Sequence, residues 1–399
     1  MARRDIAGRT LRVLALLVPI VSVLSVGRAA QLDEPAGPYS PLVESQAELD
    51  AFRSIHVESR PGRRLARVDA FLAAFPESEL RYLVVGARWR ALVDTRADPG
   101  EIIRVATEGV EAARAFLEPR LGAGAPDGDH ALAGFELANL EAGYYRSMAG
   151  AAGRMGDLTR TASYTEQAVA AEDAAWLAYE RLAPGTSGHL GQWNVYRTRQ
   201  LGLFQNAMVV FSIAGAPDRA LEYGERALGV DPNDLLTLIT LSSLIAENPS
   251  DQEAQRGARL EAGLDYASRA IGQLGGSTDA PSATGVDPDD RVRLEASVRS
   301  SMGLMHYQRA EYEAAVDALL RALQAIPDDA RTHYRLGLAY AGGEEPEAAL
   351  RALARAVYLG IQDPGVRARL EGIYQAVHGS LDGMEGFIES EGVRGGAIP

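Results

Sequence analysis

The sequence predicts an all-α protein built from repeated pairs of helices, and two observations support this fold class. Segments with helical periodicity alternate with short breaks from Ser45 onward, and no segment shows the residue alternation of a strand. Small residues also recur at an interval of 34 positions in the last third of the chain. The matched pairs are Gly303 with Gly337, Ala315 with Ala349, and Ala322 with Ala356. This repeat predicts a helical solenoid, which presents a surface and seldom performs chemistry.

The small residues of the repeat are expected where two helices approach closely. Gly303 and Gly337 would lie on the first helix of each pair, where a larger side chain would push the second helix away. Prolines cannot continue a helix, and Pro232 and Pro327 are expected to end second helices. The pattern therefore predicts two regular helix pairs, one over 296–329 and one over 330–363.

This pattern resembles the tetratricopeptide repeat (TPR) family, clearly over roughly 201–391 and weakly over 45–183. The resemblance implies a right-handed α-α superhelix, a solenoid of antiparallel helix pairs. It implies that the first helix of each pair lines a concave groove that takes a peptide. It also implies that the last helix pair, ending near Ser390, is a solvent-facing cap.

The predicted organisation has five parts. They are a signal peptide at 1–30, a flexible spacer at 31–44, a degenerate TPR-like helical region at 45–183, a TPR solenoid at 189–391 and a tail at 392–399. Within the solenoid we expect an insertion and loop at 249–290, because Ala270 falls later than the period predicts. A hinge-like break is expected near Pro184–Gly188.

The N-terminal segment has the three parts of a secretory signal peptide. Arginines form the charged start, Val13–Val26 is an uncharged and mostly apolar stretch, and Gly27–Ala30 offers small residues for cleavage after Ala29. We therefore expect an exported, periplasmic bacterial protein from which this segment is removed. The alternative is an uncleaved segment that anchors the protein to the inner membrane.

The composition excludes several classes of chemistry. The 399 residues include no cysteine and no lysine, so disulfides, thiolate metal sites, Schiff bases and P-loop nucleotide sites are impossible. The formal net charge is −14, which disfavours nucleic acid and anionic lipid as partners. The composition therefore favours a protein or peptide partner that is neutral or basic.

The sequence predicts no catalytic residues, no metal site and no cofactor. No two of the six histidines stand four residues apart, and the acidic cluster at Asp287, Asp289 and Asp290 lacks the spacing of a calcium-binding loop. The glycine-rich stretches at 122–128 and 185–191 follow no strand and lack the lysine of a phosphate-binding loop. We therefore expect a protein that is not an enzyme.

The candidate binding site comes from the TPR resemblance, which places matched positions of the first helices along the groove. These groove residues are Gln205, Val209, Ser300, Leu304, Tyr307, Gln308, Arg331, Tyr334, Leu338 and Gln375. Their mixture of aromatic, amide and arginine side chains suits contacts to a peptide. TPR domains that clamp a C-terminal carboxylate of a chaperone use lysine and asparagine there, and these positions carry neither. The alternative role of Leu304, Tyr307 and Tyr334 is packing between helices.

Three functions are compatible with the sequence. The first is an exported scaffold or adaptor that binds a protein or peptide in the groove. The second is a small-molecule-binding accessory component of a cell-envelope uptake system, with a pocket between the two halves of the chain. The third is an enzyme with an unrecognised site in the N-terminal half. The lack of a recognisable catalytic motif favours the first function.

Overall fold

The computed structural model describes residues 41, 43–121, 127–182, 190–275 and 287–393. The predicted signal peptide and the break near Pro184–Gly188 lie outside the described residues, as do most of the predicted spacer and tail. Every regular element of the described residues is a helix, which confirms the predicted all-α class. None of the helices described has the length and apolarity needed to cross a membrane.

The chain divides into two compact units, one ending at Ala216 and the other beginning at Pro217. The α-helices of unit 1 are α1 (Gln46–Val57), α2 (Pro61–Ala74), α3 (Arg81–Asp94), α4 (Pro99–Leu117), α5 (Asp127–Arg154), α6 (Leu158–Leu182) and α7 (Leu190–Ile213), with a short 3-10 turn (Glu118–Leu121) after α4. Those of unit 2 are α8 (Pro217–Val230), α9 (Leu235–Glu247), α10 (Glu253–Leu274), α11 (Pro288–Gln308), α12 (Tyr312–Ala325), α13 (Ala330–Gly342), α14 (Pro346–Tyr358), α15 (Pro364–His378) and α16 (Met384–Val393).

Aspartate side chains cap the beginning of several helices. In unit 2, Asp234, Asp329 and Asp363 each accept a hydrogen bond from a backbone N–H of the first turn, at 2.8 to 3.1 Å. In unit 1, Asp98 caps α4 in the same way, and Pro99 takes the first helical position, where an N–H would have no helical acceptor. Hydrogen bonds within a few residues therefore determine where these helices begin.

One tight turn recurs after the first helices of both units. Its central residue has a positive φ and is Arg96, Gly156, Gly215, Ala310 or Glu344. The next backbone N–H donates to the carbonyl five residues earlier, as from Glu311 to His306 at 3.0 Å and from Glu345 to Tyr340 at 2.9 Å. The same turn joins α3 to α4 and α5 to α6. The repeat geometry therefore extends into unit 1, where the sequence resemblance is weak.

Two glycines of unit 2 make the close helix contacts that the 34-residue period predicts. A Cβ atom on Gly303 would lie 2.4 Å from Cγ of Leu319, and one on Gly337 would lie 2.6 Å from Cγ of Leu353. Both leucines are fully buried and packed against other residues, so they have no space into which to move. The pairs α11–α12 and α13–α14 pack this closely only because these two positions carry no side chain.

In unit 1 a glycine makes a close helix contact with a tyrosine. Tyr144 of α5 is fully buried, and a Cβ atom on Gly109 of α4 would lie 2.4 Å from its ring. Trp89 of α3 packs against the same ring, with the two centroids 4.8 Å apart. Helices α3, α4 and α5 therefore share one core around Tyr144.

The segment predicted as an insertion and loop at 249–290 contains a long helix. Helix α10 occupies 253–274 and packs against α9 and α11, whereas 276–286 lie outside the described residues. Its buried residues recur at helical spacing and are Leu260, Gly263, Ala267, Ala270 and Leu274. The structure therefore places a second helix, longer than its counterparts, where the sequence was expected to form an insertion. The late position of Ala270 follows from this extra length.

Candidate functional site

Three first helices of unit 2 bring most of the predicted groove residues together. Helix α11 contacts α9 and α13, so the residues on α11 lie between the other two helices. We call the surface formed by α9, α11 and α13 the first-helix face. Gln375 lies on α15 and is exposed, while Gln205 and Val209 are half-buried on α7, which belongs to unit 1.

The degree of burial separates the groove residues of this face into two groups. Ser300 and Leu338 are buried, with only 4% and 8% of their surface exposed. The half-buried group is Leu304, Tyr307, Gln308 and Tyr334, and Arg331 is exposed. Only the half-buried and exposed residues are accessible to a partner.

Ser300 is part of a hydrogen-bond network around Arg335, a residue that the sequence did not single out. Nη1 of Arg335 donates to Oγ of Ser300 at 2.8 Å, and Nη2 donates to the carboxylate of Glu247 at the end of α9. The hydroxyl of Thr332 lies 2.7 Å from Oγ of Ser300. The network therefore connects α9, α11 and α13 through polar side chains.

The carboxylate of Glu247 compensates the positive charge of Arg335. Burial lowers the pKa of the Arg335 guanidinium, and the negative charge of Glu247 opposes this shift. A second arginine, Arg331, places Nη1 at 3.5 Å from the same carboxylate. Because an unpaired buried charge is strongly unfavourable, Glu247 is needed for Arg335 to stay inside the helix packing.

The amide of Gln308 also forms a contact between helices. Its Nε2 donates to the backbone carbonyl of Ala246 on α9 at 2.8 Å. Its Oε1 is buried and has no hydrogen-bond partner in the described structure. Gln308 therefore holds α11 against α9, and this contact occupies the polar group that was expected to meet a peptide.

The two tyrosines of the face have both a packed and an accessible part. Tyr307 packs against the core cluster that includes Leu319 and Leu336, and Tyr334 packs against the cluster that includes Leu350. Burial raises the pKa of the Tyr334 hydroxyl. Since both side chains are half-buried, each contributes to the core and still presents part of its ring to a partner.

The chemical groups of this face suit binding. Arg331 offers hydrogen-bond donors, Glu247 offers acceptors, and Tyr307 and Tyr334 offer flat apolar surface with a polar end. Among the described residues, no cluster of three or more histidine or acidic side chains could hold a metal ion.

We expect unit 2 to lose stability as the pH falls below about 6.5, the ordinary pKa of histidine. His333 is 8% exposed, and its Nε2 donates to the carbonyl of Pro327 at 2.8 Å. Burial lowers its pKa, with a smaller contribution from Arg355, while Pro327, Asp329 and Asp328 act in the opposite direction. The unfolded chain therefore binds this proton more readily than the folded chain, and stability present above the unfolded pKa is lost on acidification.

Melting temperatures measured at pH 7.5 and pH 5.5 test this expectation. The pH window avoids the ordinary pKa range of the carboxylates. The variant His333→Gln keeps a side-chain donor but cannot titrate, so its melting temperature should fall less between the two pH values. His56 in unit 1 also has a lowered pKa from burial, and His56→Gln serves as the parallel variant. An equal fall in the wild type and in both variants would contradict the assignment.

Residues 303–342 match the family model described as TPR repeat. This span runs from Gly303 on α11 to Gly342 at the end of α13, and it includes the turn residue Ala310. The geometry of the pairs α11–α12 and α13–α14 agrees with that match. This part of the chain is therefore built from TPR repeats. No curated protein matches the chain significantly.

Several solved structures are similar to this chain. YrrB, a TPR protein described as having an unusual peptide-binding site, is 16% identical with a TM-score of 0.38, and the match covers 60% of this chain and 97% of YrrB. The Cut9–Hcn1 hetero-tetramer of the APC/C is 16% identical with a TM-score of 0.37, over 83% of this chain and 56% of that chain. The P58(IPK) TPR domain is 13% identical with a TM-score of 0.27, over 84% and 99% of the two chains. This chain thus spans little more than half of the matched chain of the Cut9–Hcn1 complex.

Proposed function

We propose that this TPR protein is a non-enzymatic scaffold or adaptor that binds a protein or peptide on the first-helix face of unit 2. The observation that supports this most is the placement of Tyr307, Tyr334 and Arg331 on two neighbouring helices. Aromatic and arginine side chains contribute much of the affinity in protein interfaces. The hydrogen bonds of Arg335 hold the helices that carry these side chains, so the face is largely preformed before a partner arrives.

The partner that we propose is neutral or basic and meets the protein outside the cytoplasm. The net charge of −14 would repel an acidic partner and attract a basic one. The charged, apolar and small-residue parts of the N-terminal segment support export to the periplasm. N-terminal sequencing of the protein from a periplasmic fraction examines this point, and a chain that still begins at Met1 would argue for an anchored form.

A pull-down with the exported chain as bait tests the binding face. The double variant Tyr334→Ala with Arg331→Ala removes one aromatic surface and one set of donors from α13. We expect it to recover the specific partner at least about tenfold less efficiently, because truncating an interface hot spot costs roughly 2 kcal/mol or more. Quantitative mass spectrometry of the recovered proteins provides the measurement.

A matched control removes arginines from the second helices instead. Arg321 on α12 and Arg351 on α14 are both exposed and lie outside the first-helix face, and their double alanine variant should recover the partner normally. Circular dichroism of both variants shows whether the helices are intact. If the α13 variant is folded and still recovers the same partner, the first-helix face is not the binding site.

A further inference from the structure

A basic segment forms the corner between the first two helices of an otherwise acidic chain. Residues 51–68 hold five arginines and a single acid, Glu58, whereas the whole chain has a formal net charge of −14. The segment contains the end of α1 and the beginning of α2. Ions in solution screen exposed charges beyond about 8 Å at physiological ionic strength. A partner at this corner therefore meets the local positive charge and not the net charge of the chain.

Two of the five arginines hold this corner together. Nη2 of Arg67 lies 3.0 Å from the carboxylate of Glu58, and Nη1 donates to the backbone carbonyl of Ser54 on α1. Nε and Nη2 of Arg64 donate to the backbone carbonyl of Glu58 at 2.9 and 2.7 Å. These contacts hold the end of α1 against the first turns of α2, and they use the one acid of the segment.

The other three arginines have no such contacts. Arg53, Arg60 and Arg63 are exposed, and in the described structure none of their side chains forms a hydrogen bond or an ion pair. Arg60, Arg63 and Arg67 follow one another at intervals of three and four residues, so they share one side of α2. Because Arg67 reaches Ser54, this side of α2 lies beside the part of α1 that carries Arg53. Three unpaired guanidinium groups therefore lie at one corner of unit 1.

An exposed apolar side chain lies at the same corner. Val57 ends α1 and is 78% exposed, the largest exposed fraction among the large apolar side chains of the described residues. It stands four residues after Arg53 and three before Arg60, so arginines flank it on both sides. Helix α1 is also the described helix nearest in sequence to the apolar stretch Val13–Val26. Positive charge beside an exposed apolar residue suits an anionic membrane surface. We call this surface the arginine patch, formed by Arg53, Val57, Arg60 and Arg63.

We infer that the arginine patch binds the anionic headgroups of a lipid membrane. The guanidinium groups donate hydrogen bonds to the phosphate oxygens, and Val57 enters the apolar edge of the headgroup layer. Three arginines give a weak and reversible attachment, which a second signal such as an apolar segment reinforces. The patch includes no residue of the first-helix face of unit 2, so it can be tested separately from the binding of a protein partner.

Co-sedimentation of the full chain with lipid vesicles tests this inference. The vesicles consist of phosphatidylcholine, either alone or mixed with phosphatidylglycerol, whose headgroup is anionic. Binding to phosphatidylcholine alone measures the contribution of the apolar N-terminal stretch, and the increase in affinity on adding phosphatidylglycerol measures that of the patch. We expect this increase to be roughly tenfold or more at low salt and to shrink as salt is added. The triple variant Arg53→Gln, Arg60→Gln and Arg63→Gln should lose most of the increase.

The matched control is the triple variant Arg104→Gln, Arg154→Gln and Arg160→Gln. It removes the same charge from exposed positions of unit 1 outside the arginine patch, so it should keep the increase in affinity. Circular dichroism shows whether each variant is folded. Both triple variants should bind vesicles of phosphatidylcholine alone as the wild type does.

Two results would overturn the inference from the vesicles themselves. One is a wild type that binds both kinds of vesicle equally, and the other is an equal increase in affinity for the two triple variants. A tetraglutamate peptide with blocked ends separates a membrane from an acidic protein partner. If the wild type binds this peptide but not the mixed vesicles, the patch serves an acidic protein, and the inference is wrong.

Discussion

Replacing Gly303 by alanine should destabilise unit 2 by about 1–3 kcal/mol, the usual cost of adding a methyl group to a tightly packed contact. The new Cβ atom would lie 2.4 Å from Cγ and 2.8 Å from Cδ2 of Leu319, and 3.1 Å from the carbonyl oxygen of Ala315. Leu319 is fully buried, and the carbonyl belongs to the backbone of α12, so neither can yield without moving the helix. The midpoint of urea unfolding, followed by circular dichroism, should therefore fall.

A second glycine of unit 2 provides a control, because its replacement by alanine should raise the stability instead of lowering it. Gly372 lies inside α15, is exposed, and has no atom within 4 Å of the position that a Cβ would take. Gly372→Ala should therefore stabilise the protein by roughly 0.5–1 kcal/mol through helix propensity alone. If Gly303→Ala were neutral while Gly372→Ala stabilised, α11 and α12 would have to be less closely packed than the structure shows.

The contact at Gly303 could be predicted because the repeat makes it periodic. A small residue that returns after 34 positions, at Gly337, identifies a contact between two helices without any knowledge of the side chain opposite. In unit 1 the close contact at Gly109 is made with the ring of Tyr144 on the next helix, α5, and not with a leucine of the same helix pair. The sequence signal is weak there because this contact does not follow the 34-residue period.

Some helix ends follow from the local sequence, and others are imposed by the packing of neighbouring helices. Glycine at position 156 supports the positive φ of the turn before α6, which begins at Leu158. Ala310 and Glu344 adopt the same conformation without being glycine, so the surrounding helices impose it. The length of α10 was missed because three of its five buried residues are glycine or alanine, which mark a helical period only weakly.

The binding role of the candidate site stays a prediction, but the structure gives the burial of its residues. Arg331 is exposed and Tyr307 and Tyr334 are half-buried on adjacent first helices. Ser300 and Leu338 instead are buried, and the burial of Ser300 depends on Arg335. The partner of Arg335 lies 88 residues earlier in the chain. No local pattern marks such a pair, because its members meet only after α9, α11 and α13 have packed.

Replacing Glu247 by alanine should cost about 1–3 kcal/mol of stability. The change leaves the guanidinium of Arg335, whose side chain is 7% exposed, without the carboxylate that compensates its charge. The expected cost is smaller than for a fully buried pair because the side chain of Glu247 is 42% exposed and solvent screens part of the interaction. Urea unfolding of unit 2 gives the measurement, with Glu371→Ala as control, since the Arg367–Glu371 pair is solvent-exposed.

The double variant Glu247→Ala with Arg335→Met shows whether the unpaired charge of Arg335 causes the loss of stability in Glu247→Ala. Methionine fills much of the space of the arginine stem and needs no charge partner, so the double variant should be more stable than Glu247→Ala alone. The effects of Glu247→Ala and Arg335→Met on the free energy of unfolding should therefore be far from additive, as expected for residues in direct contact. Additive losses would mean that Arg335 finds another acceptor when Glu247 is removed. In that case the hydrogen bonds around Ser300, and not the ion pair, hold the three helices of the face together.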